Sequence, residues 1–97
     1  MSEKISALMT LLTEKIEAAG GLEKTVKFSM EGHTPIIAGP EGVKQREGEA
    51  DVTLIARLDN LVALFNGKLN PAMAFMSGKI KVEGDTTVAA SLKNILM

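Results

Sequence analysis

The chain predicts an α+β fold: a single mixed, mainly antiparallel five-stranded sheet with helices covering mainly one face. Three observations carry that expectation. Apolar residues recur at helical spacing over residues 3 to 19, and four short strand-like runs follow between residues 25 and 57, the first and last of them alternating, joined by turn residues. After about twenty residues holding two short helical patterns, a fifth alternating run begins at Lys79, and a last helical pattern closes the chain. Tight turns between successive strands favour antiparallel pairing, whereas the long interval between Arg57 and Lys79 allows a crossover.

The first helix places Ile5, Leu8, Met9, Leu12, Ile16 and Ala19 on one face, the i, i+3, i+4, i+7 spacing of an amphipathic segment. Ser2 can cap it, Glu3 suits the positive end of its dipole, and Gly20-Gly21 stops it with Leu22 placed to pack back on the last turn. The opposite face carries Glu3, Thr10, Thr13, Glu14 and Glu17. That acidic bias argues for a helix packed on a sheet rather than one lying on an anionic membrane.

From Thr25 to Glu31, Val26, Phe28 and Met30 alternate with Lys27, Ser29 and Glu31, the clearest strand pattern in the chain. Gly32-His33 then turns it, Pro35 to Ala38 forms a short strand, and Gly39-Pro40-Glu41-Gly42 reads as a turn with proline preset at its second position. Val43 to Glu47 is polar enough for a sheet edge, and Pro35, which has no N–H to donate, belongs at a strand start or an edge. Ala50 to Arg57 sets Val52, Leu54 and Ala56 opposite Thr53, Ile55 and Arg57. The apolar Ile55 points to a central strand with both faces partly covered.

Asp59 is expected to cap a short helix with Leu61, Leu64 and Phe65 at helical spacing, which Asn66-Gly67 ends. Asn70-Pro71 starts the next helix, because the asparagine side chain can accept from free backbone amides and proline lacks only an N–H that would be unpaired there. Ala72 to Met76 has no polar side chain, so this helix should be covered on most sides. Gly78 closes it, Lys79 to Glu83 alternates as a strand, and Asp85 caps a final helix whose Val88, Leu92 and Ile95 share a face.

One domain over residues 1 to 97 is expected, large enough to bury a core without staples. With no cysteine there is no disulfide framework and no thiolate chemistry, and a cytoplasmic home is the default. Met1 opens no charged-then-apolar leader, and no apolar run approaches the ~18 to 20 residues of a membrane span. Eleven basic residues against 12 acidic ones leave a net charge of −1. Nucleic acid is therefore not an expected partner, since neutralising several phosphates requires a basic excess.

Catalysis has little to stand on. His33 is the single histidine, it lies in a turn, and the chain has neither cysteine nor tyrosine. No Gly-x-Ser-x-Gly elbow and no His-Glu-x-x-His pair is present. Glu47, Glu49 and Asp51 alternate but lack the closing ligands of a calcium loop, and Gly39, Gly42 and Gly48 lack the Gly-Lys-Ser/Thr end of a phosphate cradle. No enzyme activity, metal or cofactor is expected. Lys68, Lys79 and Lys81 flank the apolar segment and read first as solvated lysines, second as partners for a carboxylate or phosphate head group.

The stretch from Gly67 to Gly84, GKLNPAMAFMSGKIKVEG, resembles the C-terminal signature of the sterol carrier protein type 2 domain family, GKLNP followed by F-x-x-G-K-x-K-x-x-G. The resemblance extends less strictly back to Ala50–Leu54 and forward to the last helix, while residues 1 to 49 match in order of elements. It implies a small α+β domain enclosing an apolar tunnel, with non-catalytic binding, extending to transfer, of a fatty acid, fatty acyl-CoA, isoprenoid or sterol-like lipid. Phe65, Leu69, Met73, Phe75, Met76, Val88, Leu92 and Ile95 come from three neighbouring helices. By pattern alone they are core; the resemblance makes them the expected lipid-binding set, with at most transient membrane contact. The chain departs from the family in lacking a Ser-Lys-Leu-like ending after Ile95 and a tryptophan between Thr34 and Ala38. The competing expectation is a regulatory or scaffolding module with a filled cavity that acts through a protein partner.

Overall fold

The amphipathic pattern at the front of the chain folds as α1, Glu3–Ala18, which buries Ile5, Leu8, Leu12 and Ile16. Met9 and Leu11 are half-buried beside that stripe, whereas Ala19, part of the face by spacing, lies past the helix end and is exposed. Gly20 donates to the Glu17 carbonyl at 3.1 Å and Gly21 to the Ile16 carbonyl at 2.8 Å, the paired bonds of a Schellman stop. The structure, a computed structural model, describes residues 3–85 and Thr87. The expected cap at Ser2 lies outside them.

The strands are β1 (Val26–Ser29), β2 (Ile36–Gly39), β3 (Gly42–Gln45), β4 (Val52–Ala56) and β5 (Ile80–Gly84). They form one sheet in the order β3-β2-β1-β4-β5. Three neighbouring pairs are antiparallel, and β1 and β4 run parallel with Phe28 beside Leu54. The polar β3 is an edge strand, and β1 is central with β4 next to it.

The origin of the parallel pair corrects one expectation. The long interval between Arg57 and Lys79 joins antiparallel neighbours, β4 and β5. Parallel pairing arises instead because residues 46–51 carry the chain from edge strand β3 back across the sheet to the far side of β1. This return lies on the face away from α1: Lys27 Nζ donates to the Gly48 carbonyl at 3.1 Å, and a Cβ on Gly48 would meet Ile37 Cδ1 at 3.0 Å. Ile37 is 4% exposed under it. At the end of the return, the Asp51 N–H donates to the Thr25 carbonyl and the Thr25 N–H donates to Asp51 Oδ2, each at 2.9 Å. The alternating acids at 47, 49 and 51 thus end in a clamp between the starts of β1 and β4.

The core fills the other face. Val26, Phe28, Ile36, Ala38, Val52, Leu54, Ala56 and Ile80 project from four strands and meet α1 and α2, which is Leu58–Phe65. Full burial of a Leu, Ile, Val or Phe side chain stabilises by about 1.5–3 kcal/mol. Leu8, Leu12, Leu61 and Leu64, all at most 1% exposed, therefore hold both helices on the sheet. α2 begins two residues earlier than expected, with Arg57 at the N-cap and no side-chain cap. Asp59 falls inside the first turn, where Lys4 Nζ of α1 takes its carboxylate. It is an inter-helix tie and not the cap.

A third helix, α3, spans Pro71–Met76 and packs against β5 through Ala74. After β5, Asp85 Oδ1 accepts the Thr87 N–H at 2.9 Å, the first contact of the expected cap. The helix expected to follow lies outside the described residues.

Candidate functional site

Two Schellman stops and one side-chain cap fix the segment from α2 to β5. At the end of α2, Gly67 adopts φ +78°, its N–H donates to the Leu64 carbonyl at 3.2 Å, and Lys68 donates to the Ala63 carbonyl at 2.9 Å. Asn70 Oδ1 then accepts the amides of Ala72 at 2.9 Å and Met73 at 3.2 Å, opening α3 as its sequence predicts. At the other end Gly78, again at φ +78°, donates to Phe75, and Lys79 donates to the Ala74 carbonyl at 2.9 Å. α3 is therefore a short rod with both ends tied.

That rod turns one small side chain inward and three large ones outward. Ala74 is fully buried, while Met73 is 63%, Phe75 41% and Met76 85% exposed. The expectation that this helix is covered on most sides is corrected: six residues between fixed ends can bury one face, and the fixed rotation gives that face to Ala74. Phe65 goes the other way. It is 2% exposed, and its ring meets Phe28 edge-on with centroids 5.7 Å apart. Leu69 is half-buried against the same core.

Of the residues that the sequence marks for an apolar site, Phe65 thus belongs to the core, Leu69 packs against it, and Met73, Phe75 and Met76 form the surface of α3. Val88, Leu92 and Ile95 lie outside the described residues. Lys68 and Lys79 sit at the two ends of α3, and Lys81 follows on β5; all three are exposed. The chain between Asp59 and Glu83 holds these three lysines and no acidic residue.

A separate cleft of about 320 Å³ lies at the β2–β3 hairpin, lined by Thr25, Ile37, Pro40, Glu41, Lys44 and Arg46 together with Gly39 and Gly42. Glu41, Lys44 and Arg46 line it beside Ile37 and Pro40, and charged walls of both signs match a lipid chain poorly. No sequence pattern marked it, because the β2–β3 hairpin that forms most of its walls meets Thr25 only through sheet pairing. His33 is exposed in the turn after β1, its N–H donating to the Met30 carbonyl at 3.1 Å. Among the described residues, no group of three or more His, Cys, Asp or Glu side chains could hold a metal ion. No described helix is long and apolar enough to cross a membrane.

The sequence model of the SCP-2 sterol transfer family matches residues 2–97. Human hydroxysteroid dehydrogenase-like protein 2 is 40% identical over 58 residues, which are 60% of this chain and 14% of that protein. The chain therefore corresponds to a small part of such relatives. The sterol carrier protein domain 2 of Helicoverpa armigera superposes with a TM-score of 0.79 at 24% identity, covering 96% of this chain and 85% of that one. Sterol carrier protein 2 of Aedes aegypti, solved in complex with palmitate, gives a TM-score of 0.82 at 19% identity and covers 99% and 96%. At such identities the superpositions establish a common fold.

Proposed function

The chain belongs to the SCP-2 sterol transfer family, and from that premise we propose that it is a non-catalytic, cytoplasmic carrier domain for a lipid with a long acyl or isoprenoid chain. The observation that carries this reading is the corner between α2 and α3. There a helix bearing Met73, Phe75 and Met76 rests on the core through the methyl group of Ala74. A helix held by so little buried apolar surface belongs to the low-stability end of the molecule and shifts at small cost. Displacing it opens the apolar floor at Phe65 and Leu69 to a hydrocarbon chain, and its own methionines, unbranched and polarisable, adapt to whatever chain enters. Val88, Leu92 and Ile95 complete the proposed lipid-binding set. The palmitate complex of the Aedes aegypti protein, of the same fold, supports a fatty acyl chain as the first ligand to try.

The same exposed side chains favour a second reading, a scaffold that presents α3 to a protein partner. Uptake of a fluorescent long-chain fatty acid by the parent and by Met76→Glu separates the two. Met76 is 85% exposed, so glutamate there leaves folding intact. If the side chain closes over a bound chain, an unpaired carboxylate in that apolar site costs several kcal/mol and uptake is lost. A parent that takes up no fatty acid supports the scaffold, and equal uptake by parent and variant places the ligand away from α3.

A further inference from the structure

Charge is divided unevenly over this molecule in a way that its net value of −1 hides. α1 exposes Glu3, Glu14 and Glu17, while its exposed Lys4 is paired with Asp59. At the other helical corner, the large hydrophobic side chains exposed among the described residues, Met73, Phe75 and Met76, all belong to α3. Lys68 stands before that helix and Lys79 after it, the latter held at the C-terminal end by its backbone bond to Ala74. Between Asp59 and Glu83 no acidic residue offsets them. An apolar tip rimmed by cations is the pattern that enters the interface of an anionic bilayer: the apolar side chains leave water while the ammonium groups stay at the level of the head groups.

We propose that α3 is a docking tip for anionic lipid surfaces, with Met73, Phe75 and Met76 inserted below the head groups and Lys68 and Lys79 paired with lipid phosphates. A second copy of the chain fits less well, because two such tips would oppose like charges. A zwitterionic surface lacks the charge that the lysines complement. The acidic outer face of α1 is turned away by the same field, which fixes the orientation of the docked domain. The inference deepens the lipid-carrier reading and rests on it for purpose: the element that yields to admit a ligand is also the element that touches the membrane, so opening and docking are one event. The docking itself is measurable whether or not a ligand is carried.

The test uses the 97-residue chain and vesicles of phosphatidylcholine alone or mixed with phosphatidylglycerol, in low and in high salt. Flotation should carry the parent with the anionic vesicles in low salt, much less in high salt, and hardly with phosphatidylcholine alone. The double variant Lys68→Glu, Lys79→Glu should partition about tenfold or more weakly. In vesicle-free buffer its circular dichroism and melting temperature should match the parent's, which reports that it is folded. The chain has no tryptophan, so Met76→Trp supplies a single probe whose emission should move to the blue and be quenched by brominated lipids. Thr10→Trp, on the outer face of α1, should do neither. Docking is overturned if the parent ignores anionic vesicles, if the double variant partitions like the parent, or if the probe at position 10 responds in place of that at 76. Vesicle binding without fatty-acid uptake would leave docking standing and remove the carrier reading; uptake without vesicle binding would do the reverse.

Discussion

The ring of Phe65, the last residue of α2, meets that of Phe28 on the central strand edge to face, at a centroid distance of 5.7 Å and an interplanar angle of 77°. This pair joins the end of α2 to the central strand, at the point where the chain turns toward α3. Both rings are at most 2% exposed. Edge-to-face pairs add about 0.5–1.5 kcal/mol to the burial of the rings themselves.

Phe65→Ala should therefore destabilise the domain by about 3–5 kcal/mol, and Phe65→Leu by clearly less, since it keeps most of the apolar volume. Urea unfolding of the three proteins checks this. A Phe65→Ala protein as stable as the parent would mean that the side chain only faces ligand space and carries no part of the core.

Asn70→Ala removes the acceptor for two amides at the start of α3 and should cost about 1 kcal/mol, whereas Asn70→Asp, which keeps an acceptor oxygen, should cost less. Hydrogen exchange at Ala72 and Met73 gives the local readout. Those amides should exchange faster in Asn70→Ala while the amides of β1 keep their parental rates. Uniform acceleration throughout the molecule would contradict the view of α3 as a separately yielding element.

Lys4 holds the Asp59 carboxylate below its ordinary pKa of 3.8, first by the hydrogen bond it donates and then by its charge. A carboxylate whose pKa is lowered by folding contributes stability that is fully present above the unfolded-state value and is lost as pH falls through the folded one. The stability difference between the parent and Asp59→Asn should accordingly be constant down to about pH 5 and shrink below pH 3.8. Because both side chains are well exposed, it should also be small and fall with added salt. Denaturant titrations across that range decide it. A difference that grows on acidification would assign the tie to something other than this ion pair.

Much of this architecture is legible in the chain because local signals agree with the final packing. Alternation at Val26, Phe28 and Met30, the spacing of Leu8 and Leu12, and the Asn70-Pro71 start each report a preference that the tertiary structure keeps. What the chain does not display is set between distant residues. The parallel pairing of β1 with β4 depends on a return loop that lies over Ile37, and nothing local in residues 46–51 states which face they cross. Asp59 reads locally as a cap, because its partner, Lys4, is 55 positions away. The apolar run at 72–76 shows that α3 needs apolar company, but only its rotation between Gly67 and Gly78 shows that Ala74 faces the core and the methionines face out.

His33, exposed and solitary in its turn, should contribute nothing to any reaction. Acyl esters and thioesters should turn over at the buffer rate in the presence of the protein, and His33→Ala should behave like the parent. Saturable turnover abolished in that variant would refute the non-catalytic reading.

The central claim, that the domain binds a long hydrocarbon chain, is tested most directly by the thermal unfolding of delipidated protein with and without ligand. At a hundredfold excess over its dissociation constant a ligand adds about 2.7 kcal/mol, which for a domain of this length raises Tm by roughly 10–20 °C. Palmitate or a long-chain acyl-CoA should produce such a rise, and a short-chain acid of equal charge should not. A delipidated protein that melts sharply and shifts by less than about one degree with every long-chain ligand tried would contradict the account.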